Sequence, residues 1–81
     1  MSPEDQKLYD DYFDMFSTNG WKQIVDDWKT DIIDLDNLNG VESMETLYFR
    51  RGKIEVLKAL INLQSNVEFM YTEATMEEQA P

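Results

Sequence analysis

Trp21, Ile24, Val25, Trp28, Ile32 and Leu35 recur at three- and four-residue intervals. At 3.6 residues per turn they project within about 100° of one another, the mark of an amphipathic helix with one buried face. Gln23, Asp27, Thr30 and Asp34 take the far side. The pattern predicts a helix from about Trp21 to Leu38, closed by the turn signal Asn37-Leu38-Asn39-Gly40.

The flanking segments follow the same period. Ser2 is a good N-cap, Pro3 suits the first helical position, and Glu4 and Asp5 favour the positive end of the macrodipole. Leu8, Tyr9, Tyr12, Phe13 and Phe16 then share a face opposite Asp10, Asp11 and Asp14, and Asn19-Gly20 reads as the terminator near Ser17–Asn19. A third helix is expected from about Ser43 to Leu63 with two apolar faces. Leu47, Ile54, Leu57 and Ile61 make one; Phe49, Val56, Leu60 and Leu63 make the other, with Gly52 and Ala59 among them. Apolar cover that wide is more than one antiparallel neighbour needs, so this helix should be touched on two sides. Ser65-Asn66-Val67-Glu68 fits a capping box, and Val67, Met70, Tyr71 and Ala74 continue helically, which gives a short fourth helix or an extension of the third. Residues 75–81 are expected to fray as an acidic tail to a single domain of residues 1–74. No segment alternates with period two, so the fold class is all-α: a helical hairpin or three-helix bundle with a possible short fourth helix.

Composition narrows the function classes. The 81 residues suffice for one small domain. Without Cys there is no disulfide framework or thiolate metal site, and without His the commonest general base and transition-metal ligand are missing. Seventeen acidic residues against seven basic ones leave a net charge of −10. That balance argues against direct nucleic-acid binding, which draws its affinity from neutralised phosphates. No apolar run approaches the roughly 18 residues of a membrane span, and the acidic start resembles no secretory signal. The charge is uneven: residues 1–38 carry −7, residues 39–66 carry +1 and residues 67–81 carry −4. Arg50, Arg51, Lys53 and Lys58 therefore make the third helix a basic-leaning element, suited to balancing acidic helices beside it.

No motif carries chemistry. Asp34, Asp36 and Glu45 copy positions 1, 3 and 12 of an EF-hand, but Leu38 falls at position 5 and Gly40 at position 7 instead of 6, so no calcium site is expected. Asp26 and Asp27 are adjacent and point about 100° apart on a helix, and no nucleophile elbow, phosphate loop or zinc spacing occurs. Trp28 reads as core. Trp21, at a helix start beside Gly20, reads equally as core or as an interface anchor. Gly52, one heptad before Ala59, reads as the site of a close helix crossing, because a mid-helix glycine otherwise costs about 1 kcal/mol.

Two stretches carry a family resemblance: Phe16-x-x-x-Gly20-Trp21-Lys22, and Leu47-Tyr48-Phe49-Arg50-Arg51-Gly52-Lys53-Ile54-Glu55-Val56-Leu57. Together they resemble small, uncharacterised helical proteins of tailed, particularly short-tailed, bacteriophages. The similarity spans about residues 8–65. It implies a phage gene product, in the host cytoplasm or the virion, with no known catalytic or binding residues to carry over.

The expectation is thus a non-enzymatic phage protein acting through helix–helix association, a virion component or assembly accessory without cofactor or metal. Its partner would be a second copy, most simply as a dimer, or another phage protein. The contact residues would be Trp21, Trp28, Phe49, Gly52, Val56, Ala59, Leu60 and Leu63. The alternative is a small acidic DNA mimic that occupies a host DNA-binding enzyme through Asp10, Asp11, Asp14, Asp27 and Asp34.

Overall fold

The computed structural model describes residues 1–79. They form four helices: α1 (Pro3–Phe16), α2 (Asn19–Leu35), α3 (Met44–Ile61) and α4 (Leu63–Gln79). Each boundary has a local cause. Ser2 Oγ accepts from the Asp5 N–H at 3.1 Å and starts α1, with Pro3 as its first residue. Ser43 Oγ accepts from the Thr46 N–H at 3.2 Å and starts α3. Asn19-Gly20, read as a terminator, instead opens α2. Thr18 takes the N-cap, its hydroxyl oxygen accepting the Trp21 N–H at 3.1 Å, and Asn19 and Gly20 form the first turn. Helix α2 stops at Leu35, three residues before the expected Leu38.

The capping box at Ser65–Glu68 is also not used, because α4 has already begun at Leu63. Only Asn62 separates α4 from α3. Its N–H donates to the Lys58 carbonyl at 3.0 Å and its own carbonyl accepts from Asn66 at 2.9 Å, so helical hydrogen bonding runs through the joint. From Met44 to Gln79, a rise of 1.5 Å per residue gives about 54 Å, close to the longest dimension of 57 Å. Residues 75–79 of the expected frayed tail are helical, and residues 80–81 lie outside the described residues.

The helices pack pairwise: α2 lies along α3 and α1 along α4, while α1 has no close backbone approach to α3, and α2 meets α4 through the Trp21–Gln64 side-chain hydrogen bond without one. The described residues are all-α, four helices set as two interrupted arms side by side. The reversal falls in residues 36–43. Gly40 supplies the turn with φ +80°, a region that disfavours side chains, and Asn37 Oδ1 accepts from the Asn39 N–H at 2.9 Å. Arg50 fastens the loop from α3 by donating to the Asn37 carbonyl at 2.8 Å and the Asn39 carbonyl at 3.4 Å.

The interior is a thin seam of aromatic and aliphatic side chains. Tyr71 of α4 meets Tyr9 and Phe13 of α1 edge-on, each with ring centroids 5.2 Å apart. Phe16 packs on Trp21 at 5.0 Å across the α1–α2 joint, and Trp21 meets Trp28 at 5.9 Å. Only Phe16, Ile54 and Val67 are buried among the described residues, and none of them completely. The inward face predicted for α3 is found: Ile54 is buried, with Leu47, Leu57 and Ile61 half-buried.

Candidate interaction surface

The expected contact residues separate into two groups. Trp21, Trp28 and Leu63 are half-buried in the seam of their own chain. Trp21 Nε1–H donates to Gln64 Oε1 at 3.2 Å, which ties α2 to α4 through the one polar atom of the indole. Phe49, Gly52, Val56, Ala59 and Leu60 stay together on the outside of α3 and are all exposed. At about 100° per residue, Phe49, Val56 and Leu60 fall within about 40° of one another, on the side of α3 turned away from Ile54. Phe49 is 65% exposed and Val56 61%. The second apolar face is therefore present and uncovered.

That stripe borders an open groove of about 760 Å³ between α2 and α3. Asp31, Asp34 and Leu35 line it from α2; Tyr48, Phe49, Gly52, Lys53, Val56 and Leu57 line it from α3. Lys53 Nζ sits 4.4 Å from the centre of the Phe49 ring, a cation–π contact that keeps the ammonium at the groove's edge. Gly52 does not serve a close crossing within the chain, because a Cβ there would meet nothing within 4 Å. Its missing side chain leaves a dip in the exposed stripe.

The acidic residues of the mimic reading are exposed but do not act alike. Asp10 accepts from Gln6 at 2.9 Å and Asp27 from Gln23 at 2.9 Å, both one helical turn away. Asp11 pairs with Lys7 at 2.8 Å. That hydrogen bond, followed by the charge of Asp11 and then those of Asp10 and Asp14, holds the Lys7 ammonium above the ordinary lysine pKa. Asp14 is exposed on α1, and Asp34 belongs to the groove. Among the described residues no three acidic side chains converge on a point where a metal ion would sit, and no helix is long and apolar enough to cross a membrane.

Three residues outside the expected contact set also matter for the geometry. Arg50 reaches loop carbonyls 11 and 13 residues away. Gln64 accepts from Trp21 and donates to Glu68 at 3.0 Å. Tyr71 closes α4 onto α1. Only Tyr71 carries a sequence signal, its place in the apolar repeat of the last segment.

Chemically, the groove offers apolar surface with charge at its rim: one ammonium and two carboxylates. Such a lining matches the chemistry of an amphipathic helix face. No protein-family model, curated protein or solved structure matches the chain.

Proposed function

We propose that this chain is a non-enzymatic bacteriophage protein that acts through helix–helix association, as a virion component or an assembly accessory. The observation that carries the reading is the uncovered stripe of Phe49, Val56 and Leu60 beside the α2–α3 groove. Burial of such a stripe is a main driving force of association, at about 25 cal/mol per Å² of apolar area removed from water. The thin interior supports it too, since three buried side chains among the described residues leave an isolated chain with little core. The phage assignment rests on the Gly20-Trp21-Lys22 and Leu47–Leu57 resemblance.

The test is capture of partners by the purified protein from infected-cell lysate, with washes at low and high salt. Association through the apolar stripe survives high salt, because that burial does not depend on screened charge. The expected partner is a phage structural protein or a second copy of this chain, retained after the high-salt wash. A DNA-processing host enzyme, lost at high salt and lost again when Asp10, Asp11 and Asp14 are reversed to Lys, would replace this reading with acidic mimicry.

A further inference from the structure

We propose that the α2–α3 groove takes a basic amphipathic helix of another protein, its apolar side on Phe49, Val56 and Leu60 and its Lys and Arg side chains along the acidic α2 wall; this rests on the association reading above. The apolar half of the argument is shape. Phe49 to Leu60 runs about 16 Å along α3, and Phe49, Val56 and Leu60 are all exposed. Three turns of a helix cover that length, with anchors at i, i+3 or i+4, and i+7, the spacing by which a helix lies in a groove. A Cβ at Gly52 would meet no atom of the chain within 4 Å, so the dip between Phe49 and Val56 is open to one of those anchors.

Charge selects the partner. Asp27, Asp31 and Asp34 fall within about 60° of one another around α2, and all three are exposed. Asp31 and Asp34 line the groove, and Asp27 continues that wall one turn toward the start of the helix. The two bases of α2, Lys22 and Lys29, lie at least about 120° from all three acids. They line a separate hollow beside Asn62 and Ser65.

Helix α3 adds to the imbalance. Glu45 lies about 20° from Val56 and about 40° from Phe49 around the helix. Arg51 and Lys58 lie about 140° and 160° from Val56, and Arg50 is engaged by the Asn37 and Asn39 carbonyls. Lys53 is the one α3 base beside the stripe, and its ammonium sits 4.4 Å from the centre of the Phe49 ring. The surface thus sets Asp27, Asp31, Asp34 and Glu45 against Lys53 alone, in a chain of net charge −10. A second copy would bring the same carboxylates against these, and a nucleic acid or an anionic membrane would bring phosphates. A helix with Lys or Arg flanking its apolar stripe meets opposite charge along the wall, which speeds encounter and fixes its orientation.

The probes are fluorescent synthetic peptides of about 18 residues, long enough to be helical. One has a Leu stripe flanked by Lys, one the same stripe flanked by Glu, and one Lys flanks with Ser in place of Leu. Anisotropy titrations against the full chain read their affinities. The Leu–Lys peptide is expected to bind, and the Leu–Glu and Ser–Lys peptides at least about tenfold more weakly. Reversing Asp27, Asp31 and Asp34 to Lys should exchange the preference between the two Leu peptides. Reversing Asp10, Asp11 and Asp14 on α1 changes the net charge equally and should leave that preference in place. All six positions are exposed, so circular dichroism should show helix retained in both variants. Phe49→Ala with Val56→Ala should weaken the Leu–Lys peptide at least about tenfold. Equal effects of the two reversals, or a Ser–Lys peptide that binds as well as the Leu–Lys one, would make the attraction one of bulk charge and overturn the groove. In capture from infected-cell lysate, a salt-resistant partner that still binds the Asp27, Asp31 and Asp34 reversal leaves the association reading standing and overturns this partner's chemistry. No salt-resistant partner of any kind, a second copy included, overturns both.

Discussion

Gly52→Ala isolates what α3 gains from its own backbone. Gly52 lies in the interior of an α-helix with no positive φ, and a Cβ placed on it meets no atom of the chain within 4 Å. The substitution therefore adds helix propensity, about 0.8–1.0 kcal/mol, without a steric charge against it. At about 2.1 cal/mol/K per residue, the unfolding entropy of an 81-residue chain is about 170 cal/mol/K, so the melting temperature should rise by about 5 °C. The assay is a circular-dichroism melt at low micromolar concentration, where the rise should be complete. Destabilisation would refute the reasoning, since it would require a contact at Gly52 inside the single chain.

Four other substitutions test the fold. Phe16→Ala removes one of three buried side chains and should cost about 3–5 kcal/mol, a large part of the roughly 4–12 kcal/mol available to a chain this size; urea unfolding measures it. Thr18→Ala deletes the cap that starts α2 and should cost about 1 kcal/mol in the same assay, whereas Asn19→Ala should cost less because Asn19 is only the first helical residue. Lys7→Met should lower the urea midpoint at neutral pH. The Lys7 pKa is raised on folding, so its contribution is fully present below the unfolded lysine value and is lost as pH rises through the folded one. The gap between variant and wild type should stay constant from pH 6 to 9 and close only in strong alkali.

Much of the architecture was legible because three of its rules are local. Ser2 and Ser43 cap the helices they precede, and the stripes of α2 and α3 follow 3.6 residues per turn. The errors fall where two local signals compete. Asn19-Gly20 carries terminator chemistry, but Ser17 and Thr18 satisfy the end of α1 first. Ser17 Oγ donates to the Asp14 carbonyl at 2.9 Å and Thr18 Oγ1 to the Met15 carbonyl at 2.7 Å, which frees Asn19 to continue as helix. Ser65–Glu68 has cap chemistry but sits after a ladder that never broke, since Asn62 keeps helical hydrogen bonds on both sides. The faces of α3 follow their angles except at Leu63, which opens α4 and is half-buried, whereas which face the chain itself covers depends on where α2 returns. Gly52 was read as a close helix crossing, and within the chain nothing approaches it: a small residue on a helix announces an approach without naming what approaches. Arg50 and Gln64 act through contacts at sequence separations of 11 to 43 residues, where no periodic pattern reaches.

The nested pairing of helices fixes an order of assembly. Helices α2 and α3 meet across the short turn of residues 36–43, whereas α1 and α4 meet across everything from Ser17 to Asn62. Closing the outer loop first costs about 1.5 kcal/mol more chain entropy than closing the inner one, by the logarithm of their lengths. Once α2 and α3 have docked, the outer pair is already brought together and needs little further closure. Folding therefore zips from the Gly40 turn toward the ends, and unfolding starts where Tyr71 leaves Tyr9 and Phe13. In stopped-flow experiments, truncating Ile54 should slow folding, while truncating Tyr71 should mainly speed unfolding.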